Sequence, residues 1–216
     1  MSPHVRFVYF LATTVIEFAL IITLVAGFAY ASQGQYRSKL WEDGGIHGWN
    51  SDPRQRVYYY ANYQEPPPVP LIWDEESHRY HLWISLTTGV IFMARIRTQV
   101  WGLDLVGKMC TTALYDLLLV ALWSYSVFLQ NSGDVSDPQH LSLRPWYLEH
   151  GCGQGSPETS GACSAVRRLF FLTLFTLMWC CLRFLCVCLY ITYLAGFSSG
   201  LRTERKVRAP DRTGRF

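Results

Sequence analysis

Three residues that carry charge interrupt otherwise apolar runs: Glu17, Asp116 and Arg183. Acids in such positions serve as proton or ion relays in transporters, while acids beside a cation can equally neutralise one another and lock helices together. An Arg or Asp near the centre of a membrane-spanning helix costs about 2.5–3.5 kcal/mol on insertion scales, so each is expected to face protein and to find a partner. Sulfur offers a second chemistry. Cys180, Cys181, Cys186 and Cys188 fall within TLMWCCLRFLCVCLYITYL, but at about 100° per residue they spread around a helix, and one helix cannot aim all four at a tetrahedral ion. They read as small packing residues, with Cys181 and Cys188 on one face. Cys188, and after it Cys186, falls near enough to the expected boundary for reversible acylation.

The two cysteines outside the apolar runs, Cys152 and Cys163, stand in the glycine-rich segment GCGQGSPETSGAC. In an oxidising compartment they are expected to form a disulfide, which would stabilise the loop by about 2–3 kcal/mol; two free thiols are the alternative. His78 and His81 are three apart and share a helix face, yet no third ligand stands nearby, so a wet interfacial pair is expected rather than a metal site. His140 and His150 show no ligand spacing. There is no phosphate-binding glycine loop, serine elbow or HExxH helix, so catalysis, metal and cofactor are not expected.

These residues are placed by four long runs nearly free of charge: Phe7 to Ala31, Tyr80 to Ala94, Cys110 to Gln130 and Leu169 to Phe197. At about 1.5 Å per residue, roughly 20 apolar residues cross a hydrocarbon core about 30 Å thick. Runs one, three and four reach that length. The second is shorter, but arginines at its ends can extend to the interface and Trp83 suits a boundary. The first resembles a signal peptide, yet its apolar core is too long and holds Glu17, so an uncleaved anchor is expected.

The fold class is therefore all-α, an integral membrane four-helix bundle with helices at about 7–31, 79–96, 110–130 and 168–197. External loops are expected at 32–78 and 131–167, with residues 1–200 as one domain and 201–216 as a basic cytoplasmic tail. Orientation follows the basic residues. Arg6, Arg95, Arg97, Lys108, Arg202, Arg205, Lys206, Arg208, Arg212 and Arg215 crowd one side close to the apolar runs, which puts both ends in the cytoplasm. The net charge of +3 reflects that tail, which suits anionic lipid and not nucleic acid. The first loop carries VYYYANYQEPPPVPLIW, in which EPPPVP is expected to be extended and the aromatic residues to lie at headgroup level.

Depth pairs the charges. Arg183 is expected roughly 10 Å from the cytoplasmic face, level with Asp116, and Glu17 roughly 15 Å in, so Asp116 pairs with Arg183 while Glu17 is protonated or shares the arginine.

Four crossings, an acid early in the third helix (YDLLLVALWSYSVFL, with Asp116 and Trp123) and a cysteine just before the fourth (GACSAVRRLFFLTLFTLMW) together resemble the MARVEL-type tetraspan proteins. The long tyrosine- and proline-rich loop and the arginine of the fourth helix depart from that pattern. The resemblance implies a role in organising membrane domains, vesicle traffic or membrane contacts, and supplies no catalytic residues. Membrane lipids, other membrane proteins or a second copy are the expected partners. A small transporter or channel subunit using the three charges is the alternative; a membrane oxidoreductase or metal-dependent enzyme rests only on scattered cysteines and histidines.

Overall fold

A computed structural model describes residues 3–33, 36–62, 64–100 and 104–208. The regular structure among these residues is helical, apart from one isolated β-bridge between Asp134 and Ser142. In chain order the helices are α1 (Pro3–Gln33), α2 (Tyr36–Ile46), α3 (Arg56–Ala61), α4 (Glu75–Val100), α5 (Leu105–Gln130), α6 (Trp146–Glu149) and α7 (Ser160–Arg208). The long helix α1 packs on α4 and α7, and α5 packs on the same two, which closes a ring.

Each long helix outruns its apolar run, because the polar residues that flank a run have no reason to stop the helix. The expected span 79–96 lies inside Glu75–Val100, 110–130 inside Leu105–Gln130, 168–197 inside Ser160–Arg208, and 7–31 inside Pro3–Gln33. The helix-opening signals differ. Asp104 caps α5, its carboxylate accepting from the Gly107 amide at 3.1 Å, which satisfies one of the free donors of the first turn. The tail expected from residue 201 is helical as far as Arg208, while Arg212 and Arg215 lie outside the described residues.

Three segments are long and apolar enough to cross a membrane: Phe10–Ser32, Leu105–Gln130 and Ser160–Leu194. Their outer faces carry large exposed side chains, among them Phe18, Ile22, Leu114, Phe128, Phe175 and Met178. An apolar surface of that extent needs an apolar environment. In α4 the polarity is turned inside out: Ser77, His81, Ser85 and Thr88 are buried, and Trp83, Leu86, Val90 and Met93 are exposed, Val90 by 69%. Those exposed residues follow helical spacing and form one stripe.

Between the helices lies a core of Leu24, Phe28, Ile84, Ile91, Leu119, Trp123 and Cys180. Towards one end it gives way to a polar ladder. Ser126 Oγ on α5 bonds to His81 Nδ1 on α4 at 2.9 Å, and Gln130 Nε2 donates to Ser126 Oγ at 3.2 Å and to Thr173 Oγ1 on α7 at 3.1 Å. His81 also stacks on Phe28, with ring centroids 5.3 Å apart. The expected wet histidine pair is thus corrected: His81 is buried because Ser126 and Phe28 take its polar edge and its face.

Over that same end the segments between α1 and α4 and between α5 and α7 fold together as a cap. They are not open loops. The EPPPVP stretch is free of helix, as proline's fixed φ and missing amide proton require. The preceding Arg56–Ala61 is helical, however, and Trp73 is buried in a second core with Leu40, Ile72, Trp146, Tyr147, Ala162 and Cys163. The aromatic residues divide accordingly: Tyr58 and Tyr60 are exposed, while Trp41 and Trp73 stack in parallel with centroids 6.1 Å apart.

Trp146 is the centre of this core. It is only 1% exposed, and its Nε1 donates to the Leu40 carbonyl at 2.9 Å. It approaches α2 so closely that a Cβ at Gly44 would stand 2.6 Å from the indole ring, so glycine is required there. Trp146→Ala is expected to lower the stability of the cap by about 3–5 kcal/mol. Loss of near-ultraviolet circular dichroism at a lower denaturant concentration, with far-ultraviolet signal retained, measures it.

Candidate functional site

All three charges expected inside the apolar runs meet at one level. Arg183 on α7 donates through Nε to Asp116 Oδ2 at 3.1 Å, through Nη2 to Asp116 Oδ1, and through Nη1 to Glu17 Oε1. The two bonds to Asp116 make a bidentate fork, the geometry in which a guanidinium matches a carboxylate best. Glu17 shares the arginine with Asp116, one of the two arrangements that depth alone allows.

A fourth member was missed by sequence reasoning. Arg95, counted there among the charges of the connection between the second and third runs, lies within α4 and donates from Nη1 to Glu17 Oε2 at 2.8 Å, with Asp116 Oδ1 at 4.0 Å. The correction has a simple physical reason. Two carboxylates against one guanidinium leave a buried negative charge, whose desolvation is costly unless a second cation arrives. That imbalance was the signal available in the sequence, together with the absence of proline between Arg79 and Arg95. With Arg95 the cluster holds two positive and two negative charges, and each comes from a different long helix.

Asp116 is fully buried and Glu17 nearly so. On the side facing the cap, the cluster abuts the core around Leu24, Leu119 and Trp123, of which Leu24 and Trp123 are 0% exposed. On the other side lies a cavity of about 340 Å³, lined by residues of all four long helices and reaching Glu17, Arg95 and Arg183. A smaller cavity of about 40 Å³ sits under the cap beside Arg37, His78 and His81. The core separates the two.

The cysteines take distinct positions. Cys152 and Cys163 are joined in a disulfide with Cα atoms 5.6 Å apart, tying the cap loop to the first turns of α7. Of the thiols in α7, Cys180 is buried in the core, Cys181 and Cys188 are half-buried and Cys186 is exposed.

In the cap, two aspartates that nothing in the sequence singles out act as hubs. Asp134 accepts from the Ser51 amide at 3.1 Å, Ser51 Oγ at 2.6 Å and Trp73 Nε1 at 3.2 Å, so one carboxylate ties the α5–α7 segment to the α1–α4 segment. Asp43 does the same in reverse, accepting from the Ser156 amide at 3.1 Å and Thr159 Oγ1 at 2.6 Å. Burial raises the Asp43 pKa, but hydrogen bonds from Ser156 and Thr159 and the charge of His47 outweigh it and hold the group below its ordinary 3.8. Asp137 is likewise held low, chiefly by its bond from His140. The only advance hint was the run WEDGGIHGWNSDP, dense in glycine and turn formers, whose residues converge here.

Comparison with known protein families, curated proteins and solved structures finds no match.

Two outcomes test this arrangement. Arg183→Leu alone leaves two buried carboxylates to one guanidinium and is expected to cost about 3–5 kcal/mol, whereas Asp116→Leu with Arg183→Leu leaves Glu17 paired with Arg95 and costs much less; unfolding in detergent compares them. The cap also responds to acid. Asp43 and Asp137 have lower pKa values folded than unfolded, so their stabilisation is complete above the ordinary 3.8 and is lost as pH falls through the depressed values. Tryptophan fluorescence of the cap, followed on titration from pH 6 to about 2, is expected to show unfolding only below about 4.

Proposed function

We propose that this chain is a four-crossing integral membrane protein of MARVEL-like tetraspan type, with both ends in the cytoplasm and the cap outside. Its work in this reading is structural and non-catalytic: organising membrane domains or traffic by presenting helix faces to lipid, to other membrane proteins or to a second copy. The fourth crossing is supported by the reversed polarity of α4. Its mean hydropathy is low because its polar residues point inwards, where the ladder through Ser126 uses them, while its outward stripe from Trp83 to Met93 is apolar. Such a helix belongs in lipid as readily as one that is apolar all round.

One observation carries the structural role: the buried charges close on each other, two against two, and a fully buried core stands between them and the cap. Ions held by mutual bonds at such a level fix the register of helices, and a transported ion would have to break them. Cys188 stands half-buried on α7, beyond Arg183 in the direction of the basic tail, where acylation would add a lipid chain to the cytoplasmic end.

A second reading, a small transporter or channel subunit using Glu17, Asp116 and Arg183, is favoured by the cavity that reaches the cluster. Reconstitution separates the two. Vesicles holding the purified protein are expected to show no proton or ion flux above protein-free vesicles, and both termini are expected on the same side in protease protection. A flux abolished by Asp116→Asn in a folded protein would replace the structural reading with the second.

A further inference from the structure

The small cavity under the cap is built around a cation that lacks a counter-ion. Arg37, in the first turn of α2, is half-buried, keeps accessible surface and lines this cavity of about 40 Å³. Its guanidinium donates to two backbone carbonyls, those of Asp74 and, at 2.6 Å, Ile72. Among the described residues no carboxylate oxygen lies within 4 Å of it. The acids close enough to act on it are committed elsewhere. The Asp74 carboxylate accepts from the Ser77 amide at 3.2 Å and the Ser77 hydroxyl at 3.3 Å, and Glu75 is paired with Arg79 at 2.6 Å. Burial accordingly pulls the Arg37 pKa below its ordinary 12.5 in spite of Tyr147, Asp74 and Glu75. Carbonyl dipoles satisfy donors, but a desolvated charge also asks for an opposite charge.

We infer that this cavity holds one small monovalent anion, a halide, between the Arg37 guanidinium and the Tyr147 hydroxyl. Tyr147 is 3% exposed and lines the cavity, and its hydroxyl makes no hydrogen bond among the described residues. The two groups are neighbours, since the charge of Arg37 opposes the rise that burial imposes on the phenol pKa. A third donor follows from the polar ladder. Ser126 Oγ accepts from Gln130 Nε2, so its own proton goes to His81 Nδ1, and the His81 proton stands on Nε2. His81 lines the same cavity.

Size and wall composition select the ion. One water needs roughly 10–15 Å³ of such space, so about 40 Å³ admits a single ion with a water or two and excludes an organic ligand. The remaining wall includes Phe28, Leu40, Ile72 and Leu169, which cannot replace the hydration shell of a divalent anion. Water alone fills the space without supplying the missing charge. The site is separated from the four-ion cluster by the core around Leu24 and Trp123, so it stands under either reading of those ions.

The test uses the full chain in an uncharged detergent at constant ionic strength. Trp73 lines the cavity, so bromide is expected to quench part of the tryptophan emission saturably, with chloride reversing that part and gluconate and sulfate leaving it unchanged. The midpoint of cap unfolding, read by near-ultraviolet circular dichroism, is expected to rise as chloride replaces gluconate. Arg37→Gln is expected to abolish both effects, and Tyr147→Phe to raise the half-saturating bromide concentration about tenfold. Should Arg37→Gln fail to fold, Ala31→Leu decides, because it fills the cavity with both donors in place and is expected to remove the saturable quenching. Quenching wholly linear in bromide, saturable quenching unchanged in Ala31→Leu, or equal midpoints in chloride and gluconate would each overturn the site.

Discussion

Four ions sharing one level inside an apolar helical body constrain everything else in this protein. Glu17, Arg95, Asp116 and Arg183 come from α1, α4, α5 and α7, one from each, and none can be satisfied without its neighbours. The rotation and height of every long helix are thereby coupled. Helix packing between apolar faces in lipid gains little from the hydrophobic effect, because lipid tails are as apolar as leucine, so directional bonds settle the register. The ladder through His81, Ser126, Gln130 and Thr173 repeats the device nearer the cap with neutral groups. Charge at one level and amide, hydroxyl and imidazole at the other leave the core around Leu24 and Trp123 to fill the space between.

The cap follows a different logic. It is held by burial of tryptophan, by two aspartates that each bridge from one inter-helix segment to the other, and by the Cys152–Cys163 bond. Both segments are needed to complete either aspartate's shell, so the cap folds as one unit over the helix ends. Its position directly above the polar ladder means that α4 and α5 each contribute to both regions: α4 emerges from Trp73 and Asp74, and α5 ends at Gln130, just before Asp134.

What the sequence revealed tracks how local the cause is. Apolar length located α1, α5 and α7 directly, since a run of about 20 residues is legible without knowing its neighbours. The costly charges announced themselves too, and Glu17, Asp116 and Arg183 all stand in one cluster. Arg95 was obscured because an arginine at the edge of a short run reads as an interfacial anchor, and only three-dimensional charge balance moves it inwards. The same shortness made α4 the weakest run, for a reason visible only after folding: a helix whose polar face is buried scores poorly on any average. The hubs Asp43 and Asp134 were illegible, because an aspartate in a glycine-rich loop looks alike whether it faces water or gathers serines from 83 or 113 residues away.

The order of the four ions along the chain has a consequence for biogenesis. The order along the chain is Glu17, Arg95, Asp116, Arg183, so once Asp116 has emerged the acids outnumber the available guanidiniums two to one until α7 has been inserted. A polypeptide arrested before that helix carries an uncompensated carboxylate among apolar neighbours, which is costly to bury. The last long helix thus acts as a keystone, since its arginine supplies the charge balance that the earlier helices leave open.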